Sequence, residues 1–185
     1  MKSIGDMTQA ELGAFVQTHL RKQGIDVVLS GGAAVAIYSS GEYVSKDLDM
    51  VRTHMTSRRA IKAAMAPIGF GEESGKYFKH PGSEHLVDFR QDPLTVGEEP
   101  VSRIDEILYT TGTLRIISPT DCVKDRLAGY YHWQDRQSLL QAVLVAKENA
   151  VDMLELERWS KREGKLDKFA EFRVQLSSGD LASGD

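Results

Sequence analysis

Three aspartates and a pair of glycines are the residues of this sequence best suited to chemistry. Asp47 and Asp49 are separated by one residue, Asp88 lies in a later apolar segment, and Gly31 and Gly32 precede all three. Carboxylate oxygens are ligands that Mg²⁺ and Mn²⁺ prefer, and two such ions about 3.5–4 Å apart need several acidic oxygens. The aspartates therefore predict a divalent-cation site, in which Asp88 is also a candidate base for the proton of an attacking hydroxyl.

The Gly31-Gly32 pair follows a short β-branched run, residues 27–29, which is typical of a buried strand. Two glycines permit a tight turn that exposes backbone N–H groups, and a small-residue segment typical of a helix follows at once. The N-terminus of such a helix binds anions, including phosphates. Ser30 and Ser45 are candidate phosphate contacts beside it, although either hydroxyl would equally serve to cap a turn.

The aspartates themselves must lie on strands. In an extended segment the side chains alternate between faces, so Asp47 and Asp49 share one face while Leu48 and Met50 share the other. Asp88 stands between two large apolar residues, which predicts a buried strand. A buried carboxylate needs a metal ion or a basic partner, and this requirement favours a functional role for Asp88.

Local signals predict the elements around these residues. A capping box at Thr8 opens a helix that ends at Gly24, and a cap at Ser118 followed by a proline opens another. Residues 91–112 contain several breakers and receive no assignment. The other predicted elements are a helix that Thr56 or Ser57 caps and that runs to about residue 66, short strands around the 72–75 turn, strands over 85–90 and 114–117, and helices over about 119–131, 135–149, 152–163 and 167–176.

Composition sets the general class of the protein. The 185 residues are 41% hydrophobic and 27% charged, with a formal net charge of −4, which is ordinary for a globular domain and argues against a nucleic-acid coat or a polybasic membrane binder. A single cysteine, Cys122, excludes an intrachain disulfide. No apolar run is long enough to span a membrane and no signal peptide is evident, so we expect a cytoplasmic protein without a membrane partner.

Three further features have two interpretations each. Residues 52–62 hold four arginines or lysines and no acid, so they form either a solvated helix face or a phosphate-binding patch that Lys76, Lys79 and His80 would extend. Lys124 is either a surface lysine or a contact to nucleotide phosphates. The aromatic residues 130–133 form either a packing corner or a stacking surface for a base.

In combination, Gly31-Gly32, Asp47-Leu48-Asp49 and Asp88 resemble the pattern of the nucleotidyltransferase superfamily, which has the polymerase-beta-like fold. Within it, the Ser-x-Asp-Leu-Asp segment is most similar to small bacterial nucleotidyltransferases of the abortive-infection and toxin–antitoxin type. The helix start Ser118-Pro119-Thr120-Asp121, with Lys124 following, is similar to a segment of the same group. The resemblance covers roughly residues 25–145.

The resemblance implies the fold and the site. The expected fold class is α/β (α+β), a nucleotidyltransferase-like mixed sheet flanked by helices, with a helical C-terminal part. Residues 1–117 are the expected core, 118–176 a helical part packed on it, and 177–185 a disordered tail. The implied catalytic and metal residues are Asp47, Asp49 and Asp88, and the implied nucleotide-binding residues are Ser30, Gly31, Gly32, Ser45 and Lys124.

Three functions remain open at this point. The first is a Mg²⁺- or Mn²⁺-dependent nucleotidyltransferase that moves a nucleoside monophosphate from a nucleoside triphosphate to a hydroxyl of an RNA such as transfer RNA, a protein or a small molecule. By the resemblance it would be a toxin with an antitoxin partner. The second is a non-catalytic module of the same fold that binds a nucleotide or a partner. The third is a glycosyltransferase that uses an Asp-x-Asp metal site, against which the short glycine-to-aspartate spacing argues.

Overall fold

The computed structural model describes residues 2–91 and 93–178, in which a mixed seven-stranded sheet is flanked by α-helices. The predicted α/β class with a helical C-terminal part is confirmed. The strands of this sheet have the spatial order β3-β4-β5-β2-β1-β9-β8, and β6 and β7 form a separate hairpin. Their bounds are β1 Val27–Ser30, β2 Asp47–Arg52, β3 Gly71–Glu73, β4 Tyr77–Lys79, β5 Leu86–Arg90, β6 Thr95–Val96, β7 Glu99–Pro100, β8 Ile104–Tyr109 and β9 Gly112–Ile117.

The helices begin and end close to the positions that the capping signals predict. Thr8 forms the predicted capping box with Glu11, and Ser57 and Ser118 cap their helices by accepting from backbone N–H groups. Two short 3-10 helices cover Ile4–Asp6 and Ala66–Ile68. The α-helices are α1 Gln9–Lys22, α2 Gly31–Tyr38, α3 Arg58–Met65, α4 Pro119–Trp133, α5 Arg136–Glu148, α6 Met153–Arg162 and α7 Leu166–Ser178.

Helix α1 is fixed across the sheet by two glutamine side chains. The buried Gln17 donates to the carbonyl of Arg115 at 3.0 Å and accepts from its N–H at 2.7 Å, so it pairs with β9 as a strand would. Gln9 donates to the carbonyls of Ser45 and Asp47 at 3.0 and 3.3 Å. The first turn of α1 therefore holds the start of β2, where the Asp-x-Asp segment lies.

Strand β8 lies within the segment that local signals left unassigned. It pairs antiparallel with β9, from Ile104 opposite Ile117 to Tyr109 opposite Gly112, and forms one edge of the sheet. Its residues are half-buried or exposed, and Leu108 is 82% exposed, so the period-two hydrophobic pattern of a strand is weak. Pairing with β9 decides the conformation of this segment.

The two parts of the chain share one hydrophobic core. Buried residues from before and after residue 117 belong to a single cluster. Polar contacts add to it, because Tyr38 donates to the carbonyl of Ile117 at 2.9 Å and Asn149 donates to that of Tyr38 at 2.7 Å. The division at residue 117 stays a prediction. Of the predicted tail, Ser177 and Ser178 end α7, and residues 179–185 lie outside the described residues.

Across the described ranges, no helix has both the length and the apolar character needed to cross a membrane.

Candidate active site

Asp49 and Asp88 lie directly beside each other on neighbouring strands. Strands β2 and β5 are parallel, and their register pairs Asp49 with Asp88 and Asp47 with Leu86. The row continues on both sides, because Asp49 is also opposite Ser30 of β1 and Asp88 is opposite Tyr77 of β4. Since register partners project from the same face of a sheet, four strands present this row to one surface.

Burial and the charges of neighbouring carboxylates act together on Asp49. Asp88 is 5% exposed, and the side chain of Asp49 is 14% exposed. Burial raises the pKa of Asp49, the charge of Arg90 opposes that rise, and the charges of Asp88 and Asp47 add to it. The charges of the other two candidate aspartates therefore act on Asp49.

Two basic side chains neutralise Asp49 and Asp88. Arg90 Nη2 lies 3.0 Å from Asp49 Oδ1, and Arg90 Nε lies 3.9 Å from Asp88 Oδ2. Lys76 Nζ lies 3.6 Å from the same oxygen of Asp88 and donates to the hydroxyl of Tyr77 at 2.9 Å. Sequence reasoning did not assign either cation to the aspartates. The two-residue spacing of Asp88 and Arg90 on one strand is a signal that places Arg90 on the same face.

Position 31 requires a glycine for two reasons, the conformation of its backbone and the closeness of Asp49. Its φ of +65° is in the left-handed region, and a Cβ there would lie 3.1 Å from Asp49 Cγ and overlap Oδ2. Gly32 is also close-packed, since its Cβ would lie 3.2 Å from Ser45 Oγ and 3.5 Å from the hydroxyl of Tyr43. The N-terminus of α2 thus lies against Asp49, with Tyr43 as a neighbour that sequence reasoning missed.

The two candidate serines differ in their bonding. Ser45 donates to the carbonyl of Asp47 at 3.1 Å and so holds the start of β2. Ser30 is the residue before α2, and its side chain makes no capping hydrogen bond within the described part of the chain. Its backbone is extended, and it sits opposite Asp49. Contact of either hydroxyl with a phosphate stays a prediction.

Lys124 lies in an ionic cluster of the helical part. It is 2% exposed, and its Nζ lies 2.6 Å from Glu155 Oε1 of α6 and 3.9 Å from Asp121 Oδ1. Helix α4 begins where β9 ends, and β9 runs parallel to β1, so α2 and α4 start at the same edge of the sheet. Lys124 lies in the second turn of α4 and, among the described residues, makes no ion pair with Asp47, Asp49 or Asp88, so its role in nucleotide binding stays a prediction.

Three of the four basic residues in the segment 52–62 have partners within the fold, and its role as a phosphate-binding patch stays a prediction. Arg52 is buried and donates to the backbone carbonyls of Arg90, at 3.3 Å, and Thr56. Arg58 and Lys62 both pair with Glu72, at 2.6 and 3.1 Å. Lys79 pairs with Glu73 at 3.8 Å.

Two of the four residues 130–133, Tyr130 and Tyr131, are buried and pack within the helical part. Tyr131 is buried and stacks on Trp159 of α6 with a centroid distance of 5.5 Å, and its hydroxyl bonds to Ser160 at 2.8 Å. Trp133, by contrast, is 77% exposed. Tyr131 therefore joins α4 to α6.

The donor chemistry of the site fits a hard divalent cation. Asp47, Asp49 and Asp88 offer only carboxylate oxygens, the ligands suited to Mg²⁺ and Mn²⁺. Among the residues that the structure describes, no three histidine, cysteine, aspartate or glutamate side chains are arranged as a metal-holding group. The carboxylate oxygens of Asp49 and Asp88 instead face Arg90 and Lys76, so a cation would bind here by replacing part of that positive charge.

Comparison with known proteins identifies the fold. No protein-family model matches the sequence, and no curated protein shows significant similarity to it. The structure is similar to the crystal structure of an antigenic nucleotidyltransferase-like protein from Paracoccidioides brasiliensis, with a TM-score of 0.66. The match has 17% sequence identity and covers 92% of this chain and 91% of that chain. A likeness at this identity establishes a nucleotidyltransferase-like fold.

Proposed function

Starting from this fold, we propose that the chain is a metal-dependent nucleotidyltransferase, which moves a nucleoside monophosphate from a nucleoside triphosphate to a hydroxyl. The observation that carries the proposal is the register of Asp49 with Asp88 against the N-terminus of α2 at Gly31. Paired carboxylates suit a divalent cation, and a helix N-terminus suits phosphates. A metal–nucleoside triphosphate complex needs both in one place.

The proposed roles follow from the positions of the residues. Asp47, Asp49 and Asp88 would hold Mg²⁺ or Mn²⁺, which when bound neutralises phosphate charge and activates the attacking hydroxyl. The backbone N–H groups at Gly31 and Gly32 would bind phosphate oxygens. The remaining nucleotide contacts proposed are Ser30, Ser45 and Lys124.

The acceptor and biological setting are proposals of finer detail. The resemblance to small bacterial nucleotidyltransferases favours an RNA such as transfer RNA, or a protein, with a small molecule as a further acceptor class. The same resemblance supports a role as a toxin that an antitoxin restrains. Nucleoside triphosphates and Mg²⁺ are abundant in the cytoplasm, which is the location we propose.

A label-transfer assay tests the proposal. The chain is incubated with each α-labelled nucleoside triphosphate, Mg²⁺ or Mn²⁺, and total RNA or protein, and covalent label on the acceptor is measured. Asp47→Ala and Asp49→Ala should abolish transfer. Glu98→Ala, an exposed acid in the β6–β7 hairpin, is the matched control and should not change it. Equal transfer by all variants would refute the proposal, and so would a thermal-stability titration in which only sugar nucleotides bind.

A non-catalytic nucleotide-binding module is the second candidate, favoured by the compensation of the acids by Arg90 and Lys76. A site in which carboxylates already have basic partners can bind a nucleotide through its remaining cationic groups without metal. Metal-independent nucleotide binding, with no label transfer to any acceptor, would support this candidate over the enzyme.

A further inference from the structure

Arg90 contacts both carboxylates that meet at the centre of the candidate site. Its Nη2 lies 3.0 Å from Asp49 Oδ1 and its Nε lies 3.9 Å from Asp88 Oδ2. The two aspartates belong to different strands, and Arg90 projects from the same face of β5 as Asp88. One guanidinium therefore spans the place where oxygens from two strands come together.

The aspartates need this positive charge. Asp88 is 5% exposed, and like-charged carboxylates stand beside Asp49, so leaving the pair uncompensated would be unfavourable. Lys76 supplies part of the compensation at 3.6 Å from Asp88. The close cationic contact of Asp49, however, is with the guanidinium of Arg90.

The side chain of Arg90 is free to leave while its backbone stays. Arg90 is the last residue of β5, and its carbonyl accepts a hydrogen bond from the buried Arg52 at 3.3 Å. Its side chain is 50% exposed, in contrast to 14% for Asp49 and 8% for Asp88. Rotation of the guanidinium into solvent therefore leaves the strand and the carboxylates in place.

We propose that Arg90 is an internal counter-ion, which holds the Asp49–Asp88 pair while no divalent cation is bound and leaves it when one binds. This inference rests on the proposed metal-dependent function. The guanidinium and a divalent cation neutralise the same oxygens and repel each other, so their binding is mutually exclusive. A released guanidinium remains beside the site, where its planar donor group suits phosphate oxygens.

Mn²⁺ binding to the nucleotide-free chain tests the competition directly. Titration calorimetry would be performed on the parent chain, Arg90→Gln and Arg103→Gln. Arg103 is a matched control, because its Nε pairs with Asp105 at 2.6 Å and its side chain is 67% exposed, so its loss removes the same charge from another ion pair. Arg90→Gln should bind Mn²⁺ roughly fivefold more tightly, the order of change expected when a partly exposed ion pair no longer competes. Arg103→Gln should stay within about twofold of the parent chain.

Thermal unfolding provides a second readout. Without metal, Arg90→Gln should unfold at a lower temperature than the parent chain. Saturating Mn²⁺ should raise the unfolding midpoint of Arg90→Gln by more than it raises that of the parent chain. Mn²⁺ binding to Arg90→Gln that is equal to or weaker than binding to the parent chain would overturn the counter-ion role alone. Equal binding by the parent chain and Asp49→Asn would overturn both the counter-ion role and the proposed metal site.

Discussion

Gly31 and Asp49 are in contact such that a side chain on the glycine would overlap the carboxylate. The ideal Cβ position at Gly31 lies 3.1 Å from Asp49 Cγ, and the φ of Gly31 is +65°. The turn into α2 and the Asp-x-Asp strand are therefore fitted to each other. This contact brings the N-terminus of the helix next to the acids.

Replacing Gly31 with alanine should both destabilise the fold and displace Asp49. Gly41→Ala is the matched control, because Gly41 has φ +85° and no described atom lies within 4 Å of its Cβ position. We expect the control to lose about 1–2 kcal/mol of unfolding free energy from backbone strain. Gly31→Ala should lose more and should also weaken Mn²⁺ binding, as measured by urea unfolding and calorimetry. Equal losses in both variants would contradict the fit of Gly31 to Asp49.

Asp49→Asn should separate metal binding from stability. Burial and the neighbouring carboxylates raise the pKa of Asp49, so ionisation of this carboxyl is less favourable in the folded chain than in the unfolded chain. A neutral amide removes that repulsion, although it also weakens the contact with Arg90. We expect the unfolding free energy to change by less than about 1 kcal/mol, while Mn²⁺ affinity falls roughly hundredfold as a first ligand is lost. Retained Mn²⁺ affinity would show that the metal lies elsewhere.

Breaking the buried ion pair of Lys124 should be costly and asymmetric. In Glu155→Ala, the ammonium of the 2%-exposed Lys124 loses the oxygen at 2.6 Å and keeps Asp121 at 3.9 Å. In Lys124→Met, Glu155 still pairs with Arg158 at 2.6 Å. We expect Glu155→Ala to lose about 3–5 kcal/mol in denaturant unfolding, and Lys124→Met to lose less. The opposite order would contradict the assigned pairing.

Acidic pH should lower the unfolding free energy through protonation of Glu155. The guanidinium of Arg158, with help from Lys124, lowers the pKa of Glu155 from 4.5 to about 2. Between these values the unfolded chain binds a proton that the folded chain does not, so stability falls as pH decreases from about 4.5 to about 2. Denaturant midpoints measured across this window should show a smaller slope for Glu155→Gln. Identical slopes would exclude a contribution from this carboxyl.

Cys122 should be inert in the folded chain. It is fully buried in α4, and burial raises the pKa of its thiol well above the usual range. A thiol reagent such as DTNB should therefore fail to label the native protein and should label one thiol in urea. Rapid labelling of the native protein would show that α4 opens readily.

Sequence signals with local causes predicted much of the fold correctly. The capping box at Thr8, the serine cap at Ser118 and the strand–glycine–helix turn each depend on near neighbours in the chain, and all three are present. The alternation that places Asp47 and Asp49 on one face needs only an extended backbone. Strand β8 was missed because its pattern is weak and its pairing with β9 decides its conformation.

What the sequence determined by itself was the set of chemical groups and the short elements that carry them. Only the tertiary structure decided that Asp49 is opposite Asp88, that Arg90 contacts both, and that Lys124 is buried against Glu155. The physical reason is the distance along the chain over which each kind of interaction acts. Caps, turns and side-chain alternation depend on residues a few positions apart, whereas strand register and ion pairing depend on how distant segments pack around a common core.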